Sequence, residues 1–155
     1  MTTYRLAVVG GGNMGAALVG GLLHSGWAAA DLAVVEVLTA RADQLREMFP
    51  GVTVVDETPP CEAALIAVKP YDVAAACGAA ANAGATRLLS IAAGIAIAAL
   101  QDAAGPEVAV VRAMPNTPAL VGQGAAAICG GLTAGDADLA WAESILGSVG
   151  SVVRV

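Results

Sequence analysis

Short apolar runs alternate with stretches of helical spacing along nearly the whole chain. Leu6 to Val9 is an unbroken apolar run with two β-branched residues, followed directly by glycines. That pattern suits a parallel strand buried on both faces. Ala16 to Leu23 continues with good helix formers, and Ser25-Gly26 supplies a stop. Leu32 to Val35 predicts a second strand ending at Glu36. Thr39 is placed to cap a helix that runs towards Phe49, with Ala42, Leu45, Arg46 and Phe49 on one face and Pro50-Gly51 ending it. Val52 to Val55 reads as a third strand and Ala63 to Val68 as a fourth. The connection between them, Asp56 to Glu62, is too short for a long crossover helix.

The second half repeats the alternation. Asp72 to Asn82 predicts a helix closed near Gly84, and Arg87 to Ile91 a fifth strand. Ile95 to Asp102 is a short helix, Val108 to Arg112 a sixth strand, and Gly124 to Cys129 an additional one. Asp136 to Leu146 is a helix grouping Ala140, Trp141, Ser144 and Ile145, before a last strand over Val149 to Val155. Alternation without a long structureless gap predicts an α/β fold on a doubly wound, mostly parallel sheet.

Chemistry concentrates where the predicted strands end. Gly10, Gly12 and Gly15 form G-x-G-x-x-G between the first strand and the first helix. In that setting Gly10 permits the tight turn, Gly12 admits a pyrophosphate close to the backbone, and Gly15 lets helix and strand pack closely. The free N–H groups and positive dipole end of the helix face the phosphates. Three glycines in a bare turn would need no ligand; the flanking strand and helix are what favour a dinucleotide site. Glu36 lies about twenty residues on, where an acid accepts hydrogen bonds from the adenosine ribose and disfavours a 2′-phosphate. Arg41 can instead pair with a 2′-phosphate, so NAD and NADP both stay open. Lys69, the only lysine, ends the fourth strand before Pro70, and a flexible ammonium there suits a phosphate, ribose or carboxylate. Ala92-Ala93-Gly94 leaves room for a flat ring after the fifth strand. Pro115 and Pro118 restrict the backbone around Asn116, whose amide offers two donors and an acceptor.

Composition narrows the alternatives. The 155 residues carry a formal net charge of −6, which argues against nucleic acid and anionic membrane surfaces. Hydrophobic residues make up 57% and charged ones 13%, so membrane insertion has to be weighed. Leu6 to Ala30 and Ala113 to Gly135 lack charged residues, but glycines, Asn13 and His24 interrupt the first and Pro115, Asn116 and Pro118 the second. Arg5 ahead of an apolar run has the look of a signal peptide, yet no polar cleavage region follows. A cytoplasmic protein is the expectation. Cys61, Cys77 and Cys129 are odd in number and widely spaced, which points to buried free thiols rather than disulfides or a zinc site. His24 reads as a residue of the last helical turn, favoured there by the dipole.

Four stretches together resemble the pyrroline-5-carboxylate reductases: Val9 to Gly15, Ala67 to Pro70, Ser90 to Ile95, and Val111 to Gly122 with Met114-Pro115-Asn116-Thr117-Pro118 at its centre. The resemblance covers nearly the whole chain and implies that residues 1–155 are a Rossmann-type NAD(P)-binding domain. It implies hydride transfer from NADPH or NADH to the C=N carbon of 1-pyrroline-5-carboxylate, a small-molecule substrate, giving L-proline in proline biosynthesis. Carried over by position, Gly10, Gly11, Gly12, Asn13, Met14 and Gly15 face the pyrophosphate, with Glu36 and Val37 near the adenosine ribose. Val68, Lys69, Pro70, Ala92 and Ala93 line the path to the nicotinamide, and Asn116 sits beside nicotinamide and substrate. Lys69 and Asn116 are then the candidate catalytic residues, in positioning roles, and no metal is implied. Three departures are visible. Val37 replaces the Ser or basic residue of many members, the Asp56–Glu62 connection lacks an Asn common there, and the family's helical carboxyl-terminal domain with its Ser-Gly-Ser-Gly-Pro segment is absent. That domain supplies the substrate-carboxylate pocket and dimer interface, so the family's full-length protein is expected to be a homo-oligomer and this chain a weak or inactive catalyst. The competing expectations are a free-standing NAD(P)-binding module and a β-hydroxyacid dehydrogenase-like oxidoreductase.

Overall fold

The computed structural model describes residues 2–155. Eight strands form one sheet: β1 (Leu6–Val9), β2 (Leu32–Val35), β3 (Thr53–Val55), β4 (Ala63–Ile66), β5 (Arg87–Ser90), β6 (Ala109–Met114), β7 (Gly124–Gly130) and β8 (Gly150–Arg154). Their order is β3-β2-β1-β4-β5-β6-β7-β8. The first six run parallel, β7 is antiparallel to β6, and β8 is parallel to β7. The strand order reverses between β1 and β4, whose outgoing connections run to opposite faces and leave between them the crevice where Rossmann-type sheets take ligands.

Five helices cover the sheet: α1 (Asn13–His24), α2 (Thr39–Met48), α3 (Val73–Asn82), α4 (Ile97–Ala104) and α5 (Asp136–Leu146). Leu18, Val19 and Leu22 of α1, Ala42 and Leu45 of α2, and Ile145 and Leu146 of α5 pack on one face. Val73, Ala76, Cys77 and Ala80 of α3 with Leu100 and Ala104 of α4 pack on the other. Successive strand residues feed the two layers alternately, Leu6 and Val8 to one and Ala7 and Val9 to the other. Apolar runs without polar alternation follow directly, because both faces are dry. Each fully buried Leu or Val contributes about 1.5–3 kcal/mol.

Several element ends differ from the sequence expectation. Thr39 does not cap α2: Leu38 occupies the cap position and no side chain caps that end. Glu36 accepts the N–H of Leu38 itself, at 3.0 Å, which fixes the chain entering the helix and leaves the first-turn N–H groups without a side-chain cap. The helix expected from Asp72 begins at Val73 after a 3-10 turn over Pro70–Asp72. The next runs over Ile97–Ala104, two residues later than expected at both ends. On α5 the buried residues are Ala142, Ile145 and Leu146, whereas Ala140 and Ser144 are exposed. The reason is tertiary. Arg87 of β5 donates to Asp138 at 3.0 Å and its guanidinium lies over the Trp141 ring, so α5 is turned about its axis by a contact made 51 residues away.

No helix among the described residues is long and apolar enough to cross a membrane. The uncharged run from Leu6 to Ala30 is a strand, a turn and a helix, and the run from Ala113 to Gly135 is mostly strand and turn. The outward face of the reversed pair is less well covered, with Val153 and Val155 exposed beside Met114.

Cys61 and Cys77 are buried free thiols as expected, but Cys129 on β7 is only half-buried. Burial pushes the Cys61 and Cys77 thiols up to about 11 from 9.0. Native chain treated with a disulfide reagent at pH 8 should therefore lose at most one thiol quickly, at Cys129, and all three in denaturant. The same burial sets a pH dependence. The unfolded chain ionises these thiols from pH 9.0 while the folded chain keeps them protonated to about 11. Their contribution to stability is complete below pH 9 and is lost as pH rises towards 11, so a denaturant midpoint that holds steady across that window would contradict it.

Candidate functional site

The site is the carboxyl-terminal edge of the parallel strands. Five connections emerge there from adjacent strands, in spatial order Glu36–Leu38 after β2, Gly10–Gly12 after β1, Ala67–Lys69 after β4, Ile91–Gly94 after β5 and Pro115–Asn116 after β6. At about 4.8 Å between neighbours, the row from β2 to β6 is about 19 Å long. The sequence-predicted site residues lie on these connections or at the start of α1, except Pro70, which opens the 3-10 turn after Lys69, and Arg41, which lies in the first turn of α2.

The glycine turn is shaped by backbone contact. Gly10 sits at φ +106°, and a Cβ there would lie 2.5 Å from the Ala67 carbonyl oxygen. A Cβ on Gly15 would drive into the Gly10 carbonyl oxygen, so α1 can approach β1 this closely only with glycine at that position. Gly11 is enclosed as well: Leu45 occupies the space its side chain would need. Gly12 is different. It is exposed, its backbone is extended, and nothing lies within 4 Å of where a Cβ would stand. No protein contact requires glycine there.

The start of α1 is open. Gly12 takes the cap position without a side-chain cap, no acidic residue lies in the first turn, and Asn13 is exposed. Its first N–H groups and the partial positive charge of the helix, about half an elementary charge, therefore face outward. Gly12, alone of the motif's glycines, is left empty by the protein, and it stands beside these unused donors. A pyrophosphate fits there on steric and electrostatic grounds.

Glu36 and Arg41 hold the turn from the β2 side. Glu36 Oε1 accepts the Gly11 N–H at 3.2 Å, and Arg41 Nε donates to the Gly11 carbonyl at 2.7 Å. Val37 beside them is 74% exposed, an apolar side chain facing solvent at the edge of the site. Arg41 was a candidate for a 2′-phosphate from its position alone; its contact with the turn had no sequence signal beyond lying in the first turn of the helix after the acid.

Further along the row, Val68 is half-buried, whereas Lys69 and Pro70 are exposed. Lys69 makes no ion pair or side-chain hydrogen bond among the described residues, and its ammonium is free for a ligand. Ala92 is buried and Ala93 exposed, the turn being braced by the buried Ser90, whose Oγ accepts the Ala92 N–H at 3.3 Å. Asn116 is exposed, and its Oδ1 accepts the Ala125 N–H at 2.9 Å. That bond fixes the orientation of the amide and leaves both N–H donors of its NH₂ group without a protein partner among the described residues. Lys69 and Asn116 follow β4 and β6, two strand spacings or about 10 Å apart, so they serve different parts of a ligand. An open cleft of about 330 Å³ also lies beside the start of α1, lined by Asn13, Ala17, Arg41, Met48 and Leu120. Met48 and Leu120 were not legible as its walls, because α2 and the 117–121 turn meet only through the fold.

A family model described as NADP oxidoreductase, coenzyme F420-dependent, matches residues 5–94, the span that contains the glycine turn, Glu36 and the β4 and β5 connections. The chain belongs to this family. Within it, the chain is similar to pyrroline-5-carboxylate reductases over nearly its whole length, as the four motif stretches imply. The enzyme of Mycobacterium tuberculosis is 36% identical over 97% of this chain and 55% of its own length. That of Corynebacterium melassecola is 32% identical over 100% of this chain and 60% of its own. A solved structure of the reductase from Coxiella burnetii superposes with a TM-score of 0.89 at 27% identity, covering 99% of this chain and 59% of that one. The Plasmodium falciparum enzyme, solved with NADP bound, shares the fold at a TM-score of 0.79 and 23% identity, over 100% of this chain and 58% of that one. The chain thus spans a little over half the length of the relatives it matches.

The two kinds of glycine separate in a stability measurement. Gly15→Ala should cost about 3 kcal/mol or prevent folding, because backbone must move to admit the methyl group. Gly12→Ala should shift stability by less than about 1 kcal/mol, since its backbone suits an L-residue and the space is free. Equal destabilisation by both would show that Gly12 is there for the fold.

Proposed function

We propose that this chain is the NAD(P)H-binding part of a pyrroline-5-carboxylate reductase, and that residues 1–155 form one nucleotide-binding unit. The observation that carries the proposal is the vacant approach to Gly12 at an uncapped helix start, in a motif whose other glycines are all filled by protein. The similarity to reductases at 32–36% identity over 97–100% of the chain supports the substrate class.

On this reading Gly10 to Gly15 face the pyrophosphate, and the main-chain N–H groups of Gly12, Asn13, Met14 and Gly15 bind it, those of Gly10 and Gly11 being taken by the Val35 carbonyl and Glu36. Glu36 and Val37 meet the adenosine ribose. Val68, Lys69, Pro70, Ala92 and Ala93 line the way to the nicotinamide end, where the small alanines leave space for a ring. When bound, the nicotinamide supplies the hydride that reduces the C=N carbon of 1-pyrroline-5-carboxylate to give L-proline. Asn116, as a donor, holds a carboxamide or carboxylate oxygen in place. Its own oxygen, which takes the Ala125 N–H, is held facing β7 while the NH₂ group points away from it. The Lys69 ammonium attracts an anionic group of cofactor or substrate. Each residue acts by orientation and charge, which is how a protein contributes when a cofactor carries the reaction.

Calorimetric titration of the 155-residue chain with NADH and NADPH tests this. At least one should bind, and Gly12→Ala should weaken it more than about tenfold, a change of 1.4 kcal/mol, while the melting temperature stays put. Undiminished binding to Gly12→Ala would remove the steric basis of the proposal. Asn116→Asp should also weaken binding, by replacing a donor with an acceptor.

A further inference from the structure

Two oppositely charged side chains grip the same glycine. Glu36 Oε1 takes the Gly11 N–H at 3.2 Å and Arg41 Nε reaches the Gly11 carbonyl at 2.7 Å. Each is anchored a second time. Glu36 Oε2 accepts the Leu38 N–H at 3.0 Å, and Arg41 Nη1 donates to Gln44 Oε1 at 2.9 Å. Glu36 and Arg41 form no direct ion pair with each other among the described residues; the Gly11 main chain lies between them. Leu45 closes the remaining side.

We infer that Arg41 is a positioning residue which, with Glu36, clamps Gly11 and holds the phosphate turn in its binding shape before a nucleotide arrives. The inference rests on the nucleotide-binding function proposed for the same turn. Gly10, Gly11 and Gly12 in succession form the least constrained type of backbone, and a free turn of this kind must be ordered at a cost each time a ligand binds. A carboxylate can only accept and a guanidinium can only donate, so the pair accepts one orientation of Gly11 and rejects the flipped one. Hydrogen bonds to charged groups are also stronger than neutral ones.

The same contacts bear on cofactor choice. A dedicated 2′-phosphate ligand would turn its guanidinium fork to the phosphate; here Nε and Nη1 of Arg41 donate to the turn and to Gln44, and Nη2 alone has no protein partner among the described residues. Both oxygens of Glu36 are likewise engaged by main-chain N–H groups. Arg41 therefore supports the shared pyrophosphate site, and its loss weakens NADH and NADPH alike.

The test uses Arg41→Met and Arg41→Lys in the whole 155-residue chain. Hydrogen exchange at the Gly11 amide is followed without ligand, and NADH and NADPH affinities are then measured. In Arg41→Met the Gly11 amide should exchange about tenfold faster while Val8 in β1 is unchanged, and both affinities should fall by a common factor of about ten, or 1.4 kcal/mol. Arg41→Lys, which keeps a donor, should recover part of each loss. A loss confined to NADPH would overturn the inference and make Arg41 a 2′-phosphate ligand. Unchanged Gly11 exchange in Arg41→Met would overturn it as well. If the unsubstituted chain binds neither nucleotide while Gly11 exchange still responds to Arg41→Met, the nucleotide-binding function falls and the turn-holding role of Arg41 stands.

Discussion

The contact between Gly15 and the Gly10 carbonyl is the constraint on which the rest of the structure depends. It lets the first turn of α1 lie directly on the chain leaving β1, with no side chain between them. That approach brings Leu18, Val19 and Leu22 down onto the sheet and aims the helix start along its carboxyl-terminal edge. The neighbouring strands then fall in on either side of β1, pairing Val9 with Val35 of β2 and with Ile66 of β4. A methyl group at Gly15 would lever helix from strand and misdirect every donor on the turn.

The anionic character of the chain and its fitness for an anionic ligand are compatible because the site uses main chain. With a net charge of −6, side-chain attraction alone would be weak. The first turn of α1 holds no acid, and the nearest carboxylate, Glu36, is tied down by two N–H groups. The free cation, Lys69, stands two connections away from Arg41, so positive charge is distributed along the ligand path. Most other charged contacts serve the scaffold. Asp138 starts α5 by accepting the Gly135 N–H and binds Arg87 across the sheet. Arg154 ties β8 to α5 through Asp136 and Glu143, and those two hydrogen bonds raise its already high pKa.

Beyond β6 the chain changes direction, and the reversal serves the site. β7 runs back along β6 and places Ala125 where its N–H orients the Asn116 amide. The 3-10 turn over Thr117–Val121 fills the space between, buries Ala119, and leaves Leu120 beside α1. An antiparallel addition to a parallel core thus gives the Asn116 amide one fixed orientation. The Pro115 and Pro118 restraint seen in the sequence limits where Asn116 can be; the β7 contact decides what it can do.

The sequence by itself determined the strands, the mostly parallel class of the sheet and the strand ends on which the candidate residues stand. Apolar runs without alternation, glycines at fixed offsets and small or polar residues at strand ends are local signals, each read within a few residues. Gly10, Gly12, Gly15, Glu36, Lys69, Ala92 and Asn116 all lie where those signals put them. Only the tertiary structure decided how the residues act. Thr39 left the cap position of α2 to Leu38, α5 was turned by Arg87, and Cys129 stayed half-buried on β7. Arg41, legible as a charge near the ribose, became a brace for Gly11, and Gly11 became a packed position. The contacts of Gly11 with Glu36 and Arg41, and of Arg87 with Asp138, span 25 to 51 residues. Periodicity and propensity describe the neighbourhood along the chain, whereas hydrogen-bond partnership is settled only when distant strands and helices meet at one edge of the sheet.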